Sequence, residues 1–322
     1  MHPHFQRKNA VAIRNFENVR ENCKRLAWEE LSFKTSTPGL YSGDSIFSHF
    51  TSRETEMSIR RLEAVTVCVD YADFLAETLP HNLQHFDHVI VVTGEQDRAT
   101  QQLCRQLGVE CRVTDLMHYE GDSFAKARAI DYGLAYLRRD DWVVHLDADI
   151  WLPPMTRHWI EWAHPDPDCI YGIDRCNCTS WDAWRKFIDR PMRQQHQHVQ
   201  HCLTVPPFDV ANGRPFPMGA RISLRQYGGY VPIGFFQMWN AGRFPDRRYP
   251  LIQGSAEHTD VLHAIQWPAS KRRILPEIIA VHLESENSEM GVNWKGRKSK
   301  PFGAAAGKNV SIAESTAGAY GQ

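Results

Sequence analysis

Two carboxylates stand one residue apart inside an apolar run: Asp147 and Asp149 in "WVVHLDADIWLPP", residues 142–154. Isolated carboxylates in a buried strand are costly unless they are paired or bound to a metal. Along a strand, residues i and i+2 point to one side, and Ala148 between the two acids is small enough to leave room. Carboxylates side by side repel each other unless a cation bridges them. Hard oxygen ligands of this kind suit Mg2+ or Mn2+, which in turn grip a diphosphate. The structural alternative is that the pair caps a turn or meets a nearby arginine.

Two further groups carry side chains capable of chemistry. Cys176, Cys178, His196, His198, His201 and Cys202, in "CNC" and "HQHVQHC", supply zinc-ligating atoms. Their spacing departs from the two to four intervening residues usual in structural zinc pairs, so a polar insertion with free cysteines is the preferred reading. Tyr230, Phe235, Phe236, Trp239 and Trp294 are stacking candidates for a sugar or base face, although aromatic residues are also ordinary core.

The elements that must position these residues begin at residue 62. "LEAVTVCVDY" predicts a buried strand, "ADFLAETLPHNLQHF" a helix, "DHVIVVTG" a strand, "DRATQQLCRQLG" a helix ending at Gly108, and "VECRVTD" a strand. "DSFAKARAIDYGLAYLRR" predicts a third helix with Asp122 or Ser123 as cap, and "DWVVHLDADIWL" a fourth strand. Strands alternating with helices imply a mostly parallel sheet covered on both faces, which accounts for the unbroken apolar run before Asp147. Ligands of such sheets sit beyond the carboxyl ends of the strands, where Asp147 and Asp149 fall. After Pro154 the pattern loosens. A helix is expected near 155–164, a strand at "CIYGIDR", a polar stretch over 180–225, a short helix in "AEHTDVLHAIQWP" and a last strand in "RRILPEIIAVHLE". Upstream, residues 9–31 carry helical spacing, followed by a Ser/Thr/Gly/Pro-rich arm.

A chain of 322 residues suits one large α/β domain with additions. The net charge of -1 gives no bulk reason to invoke nucleic acid or an anionic membrane. No apolar run approaches the length of a membrane span. "MHPHFQRKNA" has no signal-peptide core, and the eight cysteines are scattered, as expected of reduced thiols. A cytoplasmic protein without a membrane span is expected.

In their order, "TVCVDYADFLAETLP", "FDHVIVVTGEQDRAT", "FAKARAIDYGL", "HLDADIWLPP", "IYGIDR", "GFFQMWN", "EHTD" and "VHLESENSEMGVNWKGR" resemble the GT-A fold of nucleotide-sugar-dependent glycosyltransferases, near the large family-2-like group. The resemblance covers about residues 62–302. It implies a Rossmann-like, mostly parallel central sheet with helices on both faces. It also implies an N-terminal helical or extended arm (1–60), a glycosyltransferase domain (61–303, with a nucleotide-binding half over 62–154 and an acceptor half over 155–303) and a weakly ordered tail (304–322). Val69, Asp70 and Tyr71 would touch the nucleoside, and Asp97 would contact the base or cap a helix. Lys126 and Arg128 would neutralise phosphate or hold the sugar. Asp147 and Asp149 would bind the divalent ion and diphosphate, with His282 as third protein ligand. That donor set favours Mn2+ over Mg2+. Gly296 and Arg297 in "NWKGR" would close over the diphosphate, with Lys295 or Arg297 as the cation and Trp294 as a stacking residue of the same cofactor site.

Inverting members of this family commonly carry a Glu-Asp pair at the start of a helix facing the acceptor. Here Glu257 matches the first acid, His258 stands in the second position and Asp260 follows, so the base is left among these three. This departure leaves the stereochemistry open between inverting and retaining. First-turn acids also favour the helix dipole, which is the structural alternative.

The implied activity is sugar transfer from a nucleotide-diphosphate sugar to an acceptor hydroxyl. A glycan or small molecule is favoured as acceptor, with a protein or a hydroxylated nucleobase in nucleic acid left open. Competing readings are a sugar-nucleotide-forming nucleotidyltransferase and a catalytically silent carbohydrate or nucleotide-sugar binder. The first usually needs a glycine-rich phosphate loop after the first strand, where "DYADF" stands instead.

Overall fold

A computed structural model describes residues 59–121, 124–178, 180–204, 208–209, 214–215, 222–224, 227–252, 256, 258–283 and 296–303. The N-terminal arm and the C-terminal tail expected from the sequence lie outside the described residues.

The chain runs β1 (Leu62–Val67), α1 (Ala72–Asn82), β2 (His88–Thr93), α2 (Arg98–Leu107), β3 (Glu110–Val113), α3 (Lys126–Leu134) and β4 (Trp142–Leu146). β5 (Ile150–Trp151), α4 (Thr156–Trp162), β6 (Ile170–Cys178), α5 (Trp181–Ile188) and α6 (Met192–Thr204) follow. Two short ribbons come next, β7 (Phe208–Asp209) with β8 (Arg214–Pro215) and β9 (Ile222–Leu224) with β10 (Gly229–Val231). β11 (Phe236–Asn240), α7 (Thr259–Ala264) and β12 (Arg272–Leu283) complete the elements.

The main sheet has the order β3-β2-β1-β4-β11-β6-β12-β5. The first four strands are parallel, as are β6 and β12; β11 is antiparallel to both of its neighbours, and β5 to β12. This is the Rossmann-like, helix-covered sheet the sequence implies. Its two faces explain the apolar runs. Trp142, Val144 and Leu146 of β4 pack on the α1 side with Leu75 and Leu79, while Val143 packs on the α3 side with Ile130 and Leu134. Burying each such side chain contributes roughly 1.5–3 kcal/mol. At Gly133 a Cβ would fall 2.5 Å from a methyl of Val65 and 2.6 Å from one of Val92, so glycine lets α3 lie close against the sheet.

Three expectations are corrected, and one unassigned stretch gains a strand. The fourth strand is not continuous through the acids: β4 ends at Leu146, residues 147–149 turn, and β5 pairs with β12, three strands away in the sheet order. The third helix starts at Lys126, and the expected caps Asp122 and Ser123 lie outside the described residues. The aromatic stretch around "GFFQMWN" contains β11, inserted antiparallel between β4 and β6. The polar stretch over 180–225 begins with two helices. Ser180 caps α5, accepting from Ala183 N at 3.2 Å, and Trp184, Phe187 and Val199 fill a third apolar cluster with Ile279, Val281 and Leu283. Among the described side chains, α5 buries Trp184 and Phe187 and α6 buries Gln195 and Val199, so the polar residues mask the period.

The register of β12 with β6 shifts between Leu275 and Ile279, the stretch that contains Pro276, which has no N–H to give the ladder. Beyond this shift, His282 is registered with Asn177 on one side and Ile150 on the other. A strand from late in the chain thereby reaches the acidic turn.

Candidate active site

The turn after β4 is held from below by α1. Thr78 and Asn82 lie one helical turn apart. Thr78 Oγ1 donates to Ala148 O at 2.6 Å and Asn82 Nδ2 to Ile150 O at 2.7 Å, while Asn82 Oδ1 accepts from Leu152 N at 2.9 Å. From the sheet, Asp147 N donates to Phe235 O at 3.1 Å and Leu283 N to Asp149 O at 2.8 Å.

Within this turn the two carboxylates separate. Asp147 Oδ1 pairs with Lys126 Nζ at the first residue of α3, and His145 Nε2 lies 3.5 Å away. Asp149 Oδ2 meets His282 Nε2 at 3.1 Å, while Asp149 Oδ1 is buried with no hydrogen-bond partner among the described residues. Burial pushes the Asp147 carboxyl upward and the charge of Asp149 adds to this, against the pull of Lys126. Burial works on Asp149 in the same sense, but His282 and Lys126 outweigh it and hold that carboxyl below the usual range. His145 is fully enclosed, and burial followed by the Lys126 charge drives its imidazole well below the ordinary histidine value, so it is neutral.

Among the described residues no three His, Cys, Asp or Glu side chains already converge as a cage for an ion. The donor set nonetheless fits a divalent cation. A buried carboxylate oxygen without a partner, an imidazole on the same carboxylate and a second carboxylate two residues earlier are hard-to-borderline ligands that suit Mn2+.

The other expected residues divide. Val69, Asp70 and Tyr71 form the turn after β1; burial and then the nearby Asp149 charge push the Tyr71 hydroxyl above its usual value, which puts Tyr71 beside the acidic turn. Asp97 takes its capping role: Oδ1 accepts from Thr100 N at 3.0 Å, and Oδ2 from Asp70 N at 2.9 Å and Thr93 Oγ1 at 3.0 Å. Arg128 is half-buried on α3. His258 is exposed, in the left-handed region with φ 61°, just before α7. Asp260 Oδ2 accepts from Gly234 N at 2.6 Å and Oδ1 from Val261 N at 2.8 Å, so it fastens the β10–β11 connection. Glu257, Trp294 and Lys295 lie outside the described residues.

Arg297 departs from the expected place over a diphosphate. All of its N–H groups are engaged, on both Asp73 oxygens at 2.7 Å and on the carbonyls of Asp70, Ser299 and Lys300. Of the stacking candidates, Phe235, Phe236 and Trp239 are core, at 3% exposure or less. Tyr230 is half-buried over Gly172. The zinc grouping is not assembled among the described side chains. Cys176 and Cys178 are buried in the third cluster, His196 is exposed, and His198 Nδ1 faces Arg190 at 3.1 Å. His201 and Cys202 have no described side chains.

Sequence reasoning missed His145, Thr78 and Asn82. The i, i+4 polar pair on an otherwise apolar helix face and the lone polar residue in "VVHL" are the signals that mark them.

No protein-family model matches the chain, and no curated protein matches it. Solved structures similar to it include glucosyl-3-phosphoglycerate synthase from Mycobacterium tuberculosis in complex with Mn2+, UDP-glucose and phosphoglyceric acid, at 12% identity over 77% of this chain and 78% of that one, with TM-score 0.42. Mannosyl-3-phosphoglycerate synthase from Rubrobacter xylanophilus aligns at 16% identity over 71% of this chain and 68% of that one, with TM-score 0.41. A nucleotidyl transferase from Methanothermobacter thermautotroptrophicus aligns at 15% identity over 36% of this chain and 64% of that one, with TM-score 0.27. At these TM-scores the likeness carries no functional argument. No helix among the described residues is long and apolar enough to cross a membrane.

Proposed function

We propose that the chain is a divalent-metal-dependent glycosyltransferase of the GT-A type, moving a sugar from a nucleotide-diphosphate sugar to an acceptor hydroxyl. The observation that carries this is the buried Asp149 Oδ1, without a hydrogen-bond partner among the described residues, beside the Asp149–His282 pair at the carboxyl end of a parallel strand. Asp149 and His282, with Asp147, would hold Mn2+ or Mg2+. When bound, the ion supplies the positive charge that stabilises a departing diphosphate.

The protein's own groups do the rest. Lys126 neutralises Asp147 and sits at the N-terminus of α3, where an anion is favoured. Asp70 and Tyr71 present the nucleoside-facing turn. Glu257, His258 and Asp260 are the candidates to take the acceptor proton, Asp260 also holding the amides of Gly234 and Val261. The acceptor is a glycan or small molecule.

The test is hydrolysis and transfer with a panel of sugar nucleotides in Mn2+, comparing the wild type with Asp149→Ala. Turnover by the wild type that disappears in the variant supports the reading. Turnover unchanged by Asp149→Ala sinks it.

A further inference from the structure

We infer that Arg297 and Asp73 position the nucleoside-binding turn by fixing the backbone of Asp70, so that residues 296–303 belong to the donor site. The inference deepens the glycosyltransferase reading and rests on it.

Asp70 is not a glycine, yet its φ is 58°, in the left-handed region. It is exposed, so core packing does not impose this conformation. Hydrogen bonds on both sides do. Its N–H donates to Asp97 Oδ2 at 2.9 Å, and Asp97 is itself fixed by Thr93 and Thr100. Its carbonyl accepts from Arg297 Nη1. An exposed carboxylate on a backbone pinned at both ends is a presented group, shaped before any ligand arrives.

The Arg297 end of this device is fastened to the first turn of α1. The guanidinium forks onto Asp73 at 2.7 Å through each terminal nitrogen, and its carbon lies 4.9 Å over the Tyr71 ring. Phe302 N donates to Asp73 Oδ2 at 2.6 Å, and the Phe302 ring stacks on Phe74 at 4.7 Å. Ser299 Oγ donates to the Tyr71 hydroxyl at 2.9 Å. The segment beyond β12, the strand that carries His282, therefore holds the turn beyond β1. Arg297 has no N–H left for a phosphate, and it acts on the donor through Asp70 and Tyr71.

The test titrates uridine, guanosine, adenosine and cytidine diphosphates, with Mn2+, into the full chain by calorimetry, for wild type, Arg297→Lys and Asp73→Asn. Donor KM and kcat are then measured. For the nucleotide the wild type binds, both variants are expected to lose about tenfold or more in affinity, because preorganisation of the turn is lost. KM rises in parallel and kcat stays within about threefold, since the acidic turn is untouched. Should Asp73→Asn fail to fold, Arg297→Lys, which keeps a cation over Tyr71, carries the test alone. Variants that lose thermal stability but bind the nucleotide like the wild type overturn this inference alone. A wild type that binds none of the four overturns the donor reading and this inference with it.

Discussion

His282 Nε2 lies 3.1 Å from Asp149 Oδ2, and 133 residues separate the two in sequence. The contact exists because β12 pairs with β5, the short strand immediately after the acidic turn. Each partner fixes the other: the imidazole offsets the burial of a carboxylate, and the carboxylate orients the ring.

Asp149→Asn and His282→Ala are each expected to lower sugar transfer by about 100-fold or more, roughly 2.7 kcal/mol of transition-state stabilisation. Mn2+ affinity, read by calorimetry or by paramagnetic broadening, falls in the same variants. Full Mn2+ affinity retained in both would remove the acidic turn from the metal site.

Asn82→Leu leaves the Leu152 N–H without its acceptor and the Ile150 carbonyl without its donor, in a region buried on all sides. A loss of about 2 kcal/mol or more in denaturant unfolding is expected. Activity should fall further than stability requires, because the same bonds hold the turn that carries Asp149. An Asn82→Leu protein with wild-type unfolding free energy contradicts the anchoring role.

Gly133→Ala places a methyl 2.5 Å from Val65 Cγ2 and forces α3 off the sheet. The expected cost is about 1–3 kcal/mol. Lys126 starts the same helix, so its pairing with Asp147 should loosen as well. Equal melting temperatures for variant and wild type would show that α3 can shift freely.

Acid should destabilise the protein through its enclosed histidines, His145, His263 and His85. Burial lowers His263 to about 3 and His85 to about 4. Unfolded histidine binds its proton near pH 6.5, so between that value and the folded value the unfolded chain holds more protons. The penalty is absent above about pH 6.5, grows as pH falls through the window and levels off below the folded values. At its full extent it is about 5 kcal/mol for His263 and about 3 kcal/mol for His85. Unfolding free energy measured from pH 7 to pH 4 should fall steeply in the wild type, and less steeply in His263→Phe, which keeps a ring against Tyr249. Parallel pH profiles would exclude His263 as a source of the slope.

The first half of the fold is legible in the sequence because its signals are local. Both faces of β1, β2 and β4 are covered, so their residues are mostly apolar, with Glu63, Thr66, Thr93 and His145 as buried polar exceptions, and the intervening helices carry a period and caps such as Asp97 and Gly108. The second half is less legible. β11 is defined by an antiparallel insertion between distant strands, and α5 and α6 set a few apolar residues, Trp184, Phe187 and Val199, against the far half of β12. Asp147 and Asp149 stand out as an anomaly of residue type. Their divergence, one to Lys126 and one to His282, does not.

By itself the sequence determined the alternation of strand and helix, the position of two acids at a strand's carboxyl end and the absence of a glycine-rich phosphate loop after β1. Hydrophobic period and residue chemistry are properties of short windows, and they survive without knowledge of the partners. Only the tertiary structure decided that the acids sit in a turn, that α1 holds this turn through Thr78 and Asn82, and that Arg297 is fastened to Asp73 and Asp70. Those outcomes depend on which distant segments meet. The pairing of β12 with β5 and the packing of residues 296–303 on α1 bring them together, and no local pattern encodes that meeting.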